Sequence, residues 1–201
     1  MQYTQLFNKI DELLTQKERA IVAIEGNSGA GKSSLAESLR STYSCNAISM
    51  DSFFLRLEQR TPERLSEPGG NVDYERFSSE VLKSLKTGDD IVYRPYDCKI
   101  MQLTDPVHFK QTRLTVVEGV YSMHPYFTRI CEASAMTGDT GAIYDIRVFL
   151  KVNEDEQRRR LRERNPMLLE RFINEWIPME NAYFKHFKIP QNCDYIFDST
   201  F

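Results

Sequence analysis

Residues 26–33 read Gly-Asn-Ser-Gly-Ala-Gly-Lys-Ser, a complete G-x-x-x-x-G-K-[ST] pattern, and few patterns restrict a fold as tightly. Glycines let consecutive backbone N–H groups turn inward around an anion, where a Cβ would obstruct the approach. The geometry needs a buried strand before the loop and a helix after it, with the helix N-terminus facing the same anion. Both are legible: AIVAIE at 20–25 is a short apolar run, and SSLAESLRSTY after the loop reads as a helix. Gly26, Asn27, Ser28, Gly29, Ala30, Gly31, Lys32, Ser33 and Ser34 are therefore expected to hold a triphosphate. Lys32 can reach the β- and γ-phosphates, and the Ser33 hydroxyl is a magnesium ligand in this arrangement. A chance glycine turn is the competing explanation, and the correct elements on both flanks weigh against it.

Leu6, Ile10, Leu13 and Leu14 recur at helical spacing, which predicts an amphipathic helix over 3–16. CNAISM (45–50), LTVVEG (114–119), YDIRVFLKV (144–152) and CDYIF (193–197) are further strand candidates. YERFSSEVLKSLKTG predicts a helix over 74–88, with Gly88 at its C-terminal cap. Between them, 53–71 is polar and reads as a mobile excursion, and 91–110 reads as an irregular hairpin. Asn153 with Glu156 makes a capping box for an arginine-rich helix. Leu169, Phe172, Trp176, Tyr183 and Phe187 share a helical face that Pro178 is expected to kink or break. Strands alternating with helices predict an α/β fold: a mostly parallel sheet flanked by helices on both faces. One domain over 1–201 accounts for the chain, with a lid at about 153–166, an acceptor-side insertion at about 52–73 and the hairpin.

The formal net charge is -3, so no global field draws the chain to nucleic acid or anionic lipid. No apolar stretch approaches the roughly 20 residues of a membrane span, and MQYTQLFNKI lacks the pattern of a signal peptide. Cys45, Cys98, Cys131 and Cys193 lie far apart, as reduced thiols do. A cytoplasmic protein without nucleic-acid or membrane partners is the expectation, with homo-oligomers left open.

In parallel sheets ligands collect at the carboxyl ends of strands, where Asp51, Glu118 and the glycine loop all fall. The chain has no N-K-x-D segment of the kind that reads guanine, and LTVVEG ends in a lone Glu118 rather than the Asp-Glu of motor ATPases. Both absences favour a small-molecule kinase.

The ordered set GNSGAGKS (26–33), MDSFF (50–54), NVDYERF (71–77), RPYD (94–97), VVEG (116–119) and the arginine-rich stretch after Asn153 resembles the uridine kinase and phosphoribulokinase group of P-loop kinases. The resemblance implies that Asp51 takes the acceptor hydroxyl's proton, with a helix cap as its alternative role. It implies that Glu118 stands near magnesium, and that Asp73 bonds sugar hydroxyls or, equally, caps the helix at Tyr74. Tyr96 matches an aromatic that stacks on the acceptor's base, although it could also close a hairpin core. Arg160 and Arg164, one turn apart, match the family's lid arginines over the γ-phosphate. The alternative for the run Arg158–Arg164 is a solvated face paired with Glu154, Asp155, Glu156 and Glu163. The family's pyrimidine-reading histidine has no counterpart here, where Lys99-Ile100-Met101-Gln102 stands. The resemblance thus implies ATP- and magnesium-dependent phosphoryl transfer to a nucleoside or nucleoside-like small molecule. A vitamin or sugar phosphate is the alternative acceptor, and a non-catalytic nucleotide sensor is the reading from another class.

Overall fold

The computed structural model describes residues 2–128 and 143–200. In chain order its elements are helix α1 (Thr4–Gln16), strand β1 (Ala20–Gly26), α2 (Lys32–Tyr43), β2 (Asn46–Ser49), a 3-10 turn (Met50–Phe53) and α3 (Pro62–Ser66). Helix α4 (Tyr74–Phe77) runs through a π-turn (Ser78–Leu82) into α5 (Lys83–Thr87). Four short strands follow, β3 (Ile91–Tyr93), β4 (Tyr96–Asp97), β5 (Gln102–Leu103) and β6 (Val107–Phe109), then β7 (Leu114–Glu118) and β8 (Ile146–Lys151). The chain closes with α6 (Glu154–Arg164), α7 (Leu169–Arg171), a π-turn (Phe172–Trp176), α8 (Ile177–Phe187) and β9 (Tyr195–Asp198).

The main sheet has five strands in the order β2-β7-β1-β8-β9, and every pairing is parallel. Its central strands are apolar on both faces because both faces are covered. Val22, Ile24, Val116, Val148 and Leu150 pack under Leu6 and Ile10 of α1 and Leu35 and Leu39 of α2. The alternate residues Ala23, Val117 and Phe149 meet Phe53, Phe77, Tyr183 and Phe184 on the other side. Gly26 ends β1 where the chain passes so close to β8 that a Cβ would lie 2.0 Å from the Leu150 carbonyl oxygen.

The expected hairpin exists as two nested antiparallel pairs, β3 with β6 and β4 with β5, and Gly88 caps α5 at φ 79. Residues 53–71 carry anchors of their own: Arg64 donates to the carbonyls of Gly70 and Val72 and forks onto Glu75. One local expectation needs correction. The capping box is half formed. Asn153 accepts from the Glu156 N–H at 2.8 Å, but the Glu156 carboxylate turns to Arg159 and Arg160. Pro178 does not end its helix: the chain stays helical on both sides of it, through a wider π-turn in which Ile177 N–H reaches back to Phe172 O. Among the described cysteines Cys45, Cys98 and Cys193 are free thiols, and Cys131 lies outside the described residues. No described helix is long and apolar enough to cross a membrane.

Candidate active site

The glycine loop leaves the carboxyl end of β1 and enters α2 through Gly31, whose φ of 87 is the left-handed region that glycine occupies without strain. Lys32 is buried and folds back on the loop, donating to the carbonyls of Gly26 and Asn27 at 2.9 Å each. The Ser33 hydroxyl donates to Glu118 Oε2 at 3.2 Å, a contact made possible because β1 and β7 are neighbours in the sheet. Burial pushes the Glu118 carboxyl up, against a Ser49 hydrogen bond and the charge of Lys32. Asp51 is exposed in the turn that follows β2, and its N–H is held by the Ser49 hydroxyl at 3.4 Å. Glu118 and Ser33 give two oxygen donors, the chemistry magnesium prefers. A magnesium ion keeps several waters and takes phosphate oxygens, so it needs no protein cage. Among the described residues no cluster of three or more His, Cys, Asp or Glu is built to hold a metal.

Ser28, in the middle of the loop, is gripped from outside. Its N–H donates to Glu180 Oε2 at 3.0 Å and its hydroxyl to the other carboxylate oxygen of the same residue. Gln157 of α6 donates to the Ser28 carbonyl at 2.8 Å, and Arg160 donates to the next carbonyl, Gly29, at 3.1 Å. Burial pushes the Glu180 carboxyl up, with Lys32 and the Ser28 bonds opposing.

Asp73 is the N-cap of α4. Its Oδ1 accepts from Arg76 N–H at 3.0 Å and its Oδ2 from Gln59 Nε2 at 2.9 Å, and the residue is 2% exposed. Tyr96 is likewise buried. Its hydroxyl accepts from Arg60 Nη2 at 3.3 Å, and the same guanidinium carbon lies 5.8 Å from the ring centroid. Strand β4, which carries Tyr96, packs on the turn that carries Asp51.

Arg160 is tied down by Glu156, Gly29 and the carbonyl of Ser199. Arg164 is exposed, and the two line a cleft of about 440 Å³ with Gly29, Ala30, Gly31 and Ser34. Arg158 and Arg159 make the solvated pairs with Glu154, Glu156 and Glu163. The structure thus gathers Lys32, Ser33, Asp51 and Glu118 around the loop, Arg160 and Arg164 along its flank, and Asp73 and Tyr96 on the insertion side. Sequence reading missed Glu25, Gln157, Glu180 and Arg60. Glu25 alone left a trace, an acid inside an otherwise apolar strand. It is fully buried and accepts from the N–H groups of Tyr121 and Met123, both at 2.8 Å.

No family model matches the chain. A Schizosaccharomyces pombe protein, provisionally named a uridine kinase, is 26% identical over 182 residues, which is 81% of this chain and 73% of its own. A structure described as a possible uridine kinase from Bacillus stearothermophilus superposes with a TM-score of 0.64 at 19% identity, covering 97% of this chain and 100% of that one. D-glycerate 3-kinase from Cryptococcus neoformans gives a TM-score of 0.54 at 13% identity, over 88% and 87% of the two chains. The chain thus has the fold of these P-loop kinase structures, and in sequence it is similar to a protein provisionally named a uridine kinase.

Proposed function

We propose that this chain transfers the γ-phosphoryl group of ATP to a hydroxyl of a small molecule, with magnesium. The observation that carries the reading is the contact of Ser33 with Glu118 at 3.2 Å beside Lys32, with Asp51 at the end of β2, the strand next to β7. The acceptor oxygen forms a bond to the γ-phosphorus as the bond from that phosphorus to the β,γ-bridging oxygen breaks, and the hydroxyl proton passes to Asp51. Bound at Ser33 and, through water, Glu118, magnesium would neutralise charge on the β- and γ-oxygens. Lys32 leaves the Gly26 and Asn27 carbonyls for those phosphates. Glu180 and Gln157 keep Ser28 in place, so the loop is shaped before nucleotide arrives. The cleft bounded by Ser34, Arg160 and Arg164 suits the donor's nucleoside end, and Arg164 is free of the anchoring bonds that hold Arg160.

A nucleoside-like acceptor is what the resemblance implies, with Asp73 on a diol and Tyr96 on a base. Arg60 on the Tyr96 ring and the missing histidine favour a second reading, in which the acceptor is another small alcohol. Asp51 argues against a non-catalytic sensor, because Lys32, Ser33 and Glu118 suffice to bind magnesium and a triphosphate, whereas an acceptor-side base serves transfer.

Coupled ADP-release assays over nucleosides, vitamins, sugars, sugar phosphates and hydroxy acids test the reading. Lys32→Ala should abolish turnover and weaken ATP binding. Asp51→Asn should lower kcat by about 10²–10⁴-fold while ATP affinity holds. A folded Lys32→Ala protein with unchanged turnover would overturn the kinase reading.

A further inference from the structure

A guanidinium withdrawn from water needs an opposite charge close by, because the cost of desolvating it is otherwise unmet. The buried or half-buried arginines among the described residues are Arg56, Arg60, Arg64, Arg76, Arg147 and Arg160. Five of these have a carboxylate within 4 Å, namely Glu58, Glu75, Asp73, Asp194 and Glu156 in that order. Arg60 has none among the described residues. Its recorded bonds are neutral, from Nε to the Leu55 carbonyl at 2.9 Å and from Nη2 to the Tyr96 hydroxyl at 3.3 Å. An arginine carries five N–H donors in a fixed fork, so these two bonds leave Nη1 and half of Nη2 unused.

The place of this side chain gives the missing charge its meaning. Its neighbour Gln59 reaches Asp73, and its partner Tyr96 lies on the strand packed against the Asp51 turn. The Cys98 thiol reports the same neighbourhood: partial desolvation raises its pKa, Arg60 lowers it, and Asp51 and Asp97 oppose Arg60. Arg60 therefore faces the side of the loop where the acceptor must bring its hydroxyl to Asp51. Tyr96 holds it there through its hydroxyl and ring face, a cation–π contact, and that ring face is then occupied.

We propose that Arg60 binds an anionic group on the acceptor, a carboxylate or a phosphate, so that the substrate is an anionic alcohol rather than a neutral nucleoside. The inference rests on the kinase reading above. A guanidinium fork matches the oxygens of either anion in two parallel bonds. Tyr96 is on this account a positioning residue for Arg60.

The test uses the full chain with magnesium and ATP. ADP release is measured with hydroxy acids and sugar phosphates, each beside its neutral counterpart, the methyl ester or the dephosphorylated sugar. An anionic acceptor should be preferred in kcat/KM by about 10–100-fold, the worth of one charge-assisted hydrogen bond. Arg60→Met should erase that preference through KM with kcat little changed, and Arg60→Lys should restore part of it, since charge returns without the fork. Preference for one series identifies the anion as carboxylate or phosphate. Equal use of neutral acceptors, or an Arg60→Met loss that falls equally on neutral and anionic ones, would overturn the proposal and leave Arg60 structural. If no alcohol accelerates ADP release, it is the kinase reading that fails. The Arg60 proposal is then decided by binding: an anionic alcohol must raise the Tm of the parent chain and not that of Arg60→Met.

Discussion

Glu25 is an acid in the central strand of the sheet, fully buried, and its carboxyl is pushed up to about 8 by burial, against the N–H bonds from Tyr121 and Met123. The ordinary value is 4.5, so between pH 4.5 and about 8 the folded chain keeps a proton that the unfolded chain has released. Stability from this group is complete below the unfolded value and is lost as pH rises through the folded one. The urea midpoint should therefore fall between about pH 4.5 and about pH 8, and Glu25→Gln, which cannot titrate, should flatten that fall while lowering stability overall. An unchanged pH slope in the variant would remove Glu25 as the cause. Residues whose chemistry is set by one motif, Lys32 and Ser33, were legible one by one. Asp73 was legible only as a choice between cap and ligand, and tertiary packing has filled both its oxygens through Arg76 and Gln59.

Elements carry the next layer, because the phosphate loop is shaped by helices distant in sequence. Ser28 is held by α8 through Glu180 and by α6 through Gln157. Glu180→Ala would leave the Ser28 N–H without a partner, a loss of about 1–3 kcal/mol for a buried donor. Urea unfolding should register that loss, and the KM for ATP should rise several-fold with it because the loop is no longer pre-shaped. A variant with parental KM and stability would mean that the glycine loop holds its own form. Helices and strands were readable from periodicity, down to Gly88 as a cap. Periodicity was silent on the π-turn ahead of Pro178, which relieves a steric conflict that sequence can only flag. The half-formed box at Asn153 has a comparable origin: Glu156 finds two arginines nearer than the backbone it could have capped.

At the scale of the whole molecule the parallel sheet decides which distant residues meet. Gly26→Ala tests its tolerance, since the added methyl would stand 2.0 Å from the Leu150 carbonyl oxygen on β8. Backbone cannot yield there without parting β1 from β8, so a destabilisation above about 4 kcal/mol is expected, the range reserved for such conflicts. A soluble variant with a parental melting profile would contradict the close approach. The glycine loop, the alternating strands and helices and the residues at the strand ends are written into the chain locally, because they follow from sterics, periodicity and a motif whose spacing is its mechanism. Tertiary packing brought Ser33 to Glu118 and Glu180 to Ser28, and left Arg60 without a counter-ion among the described residues. Those contacts join residues 85 and 152 positions apart, or concern a charge that every neighbour must be placed to count. No local pattern in a chain encodes which faces of its folded elements will come together.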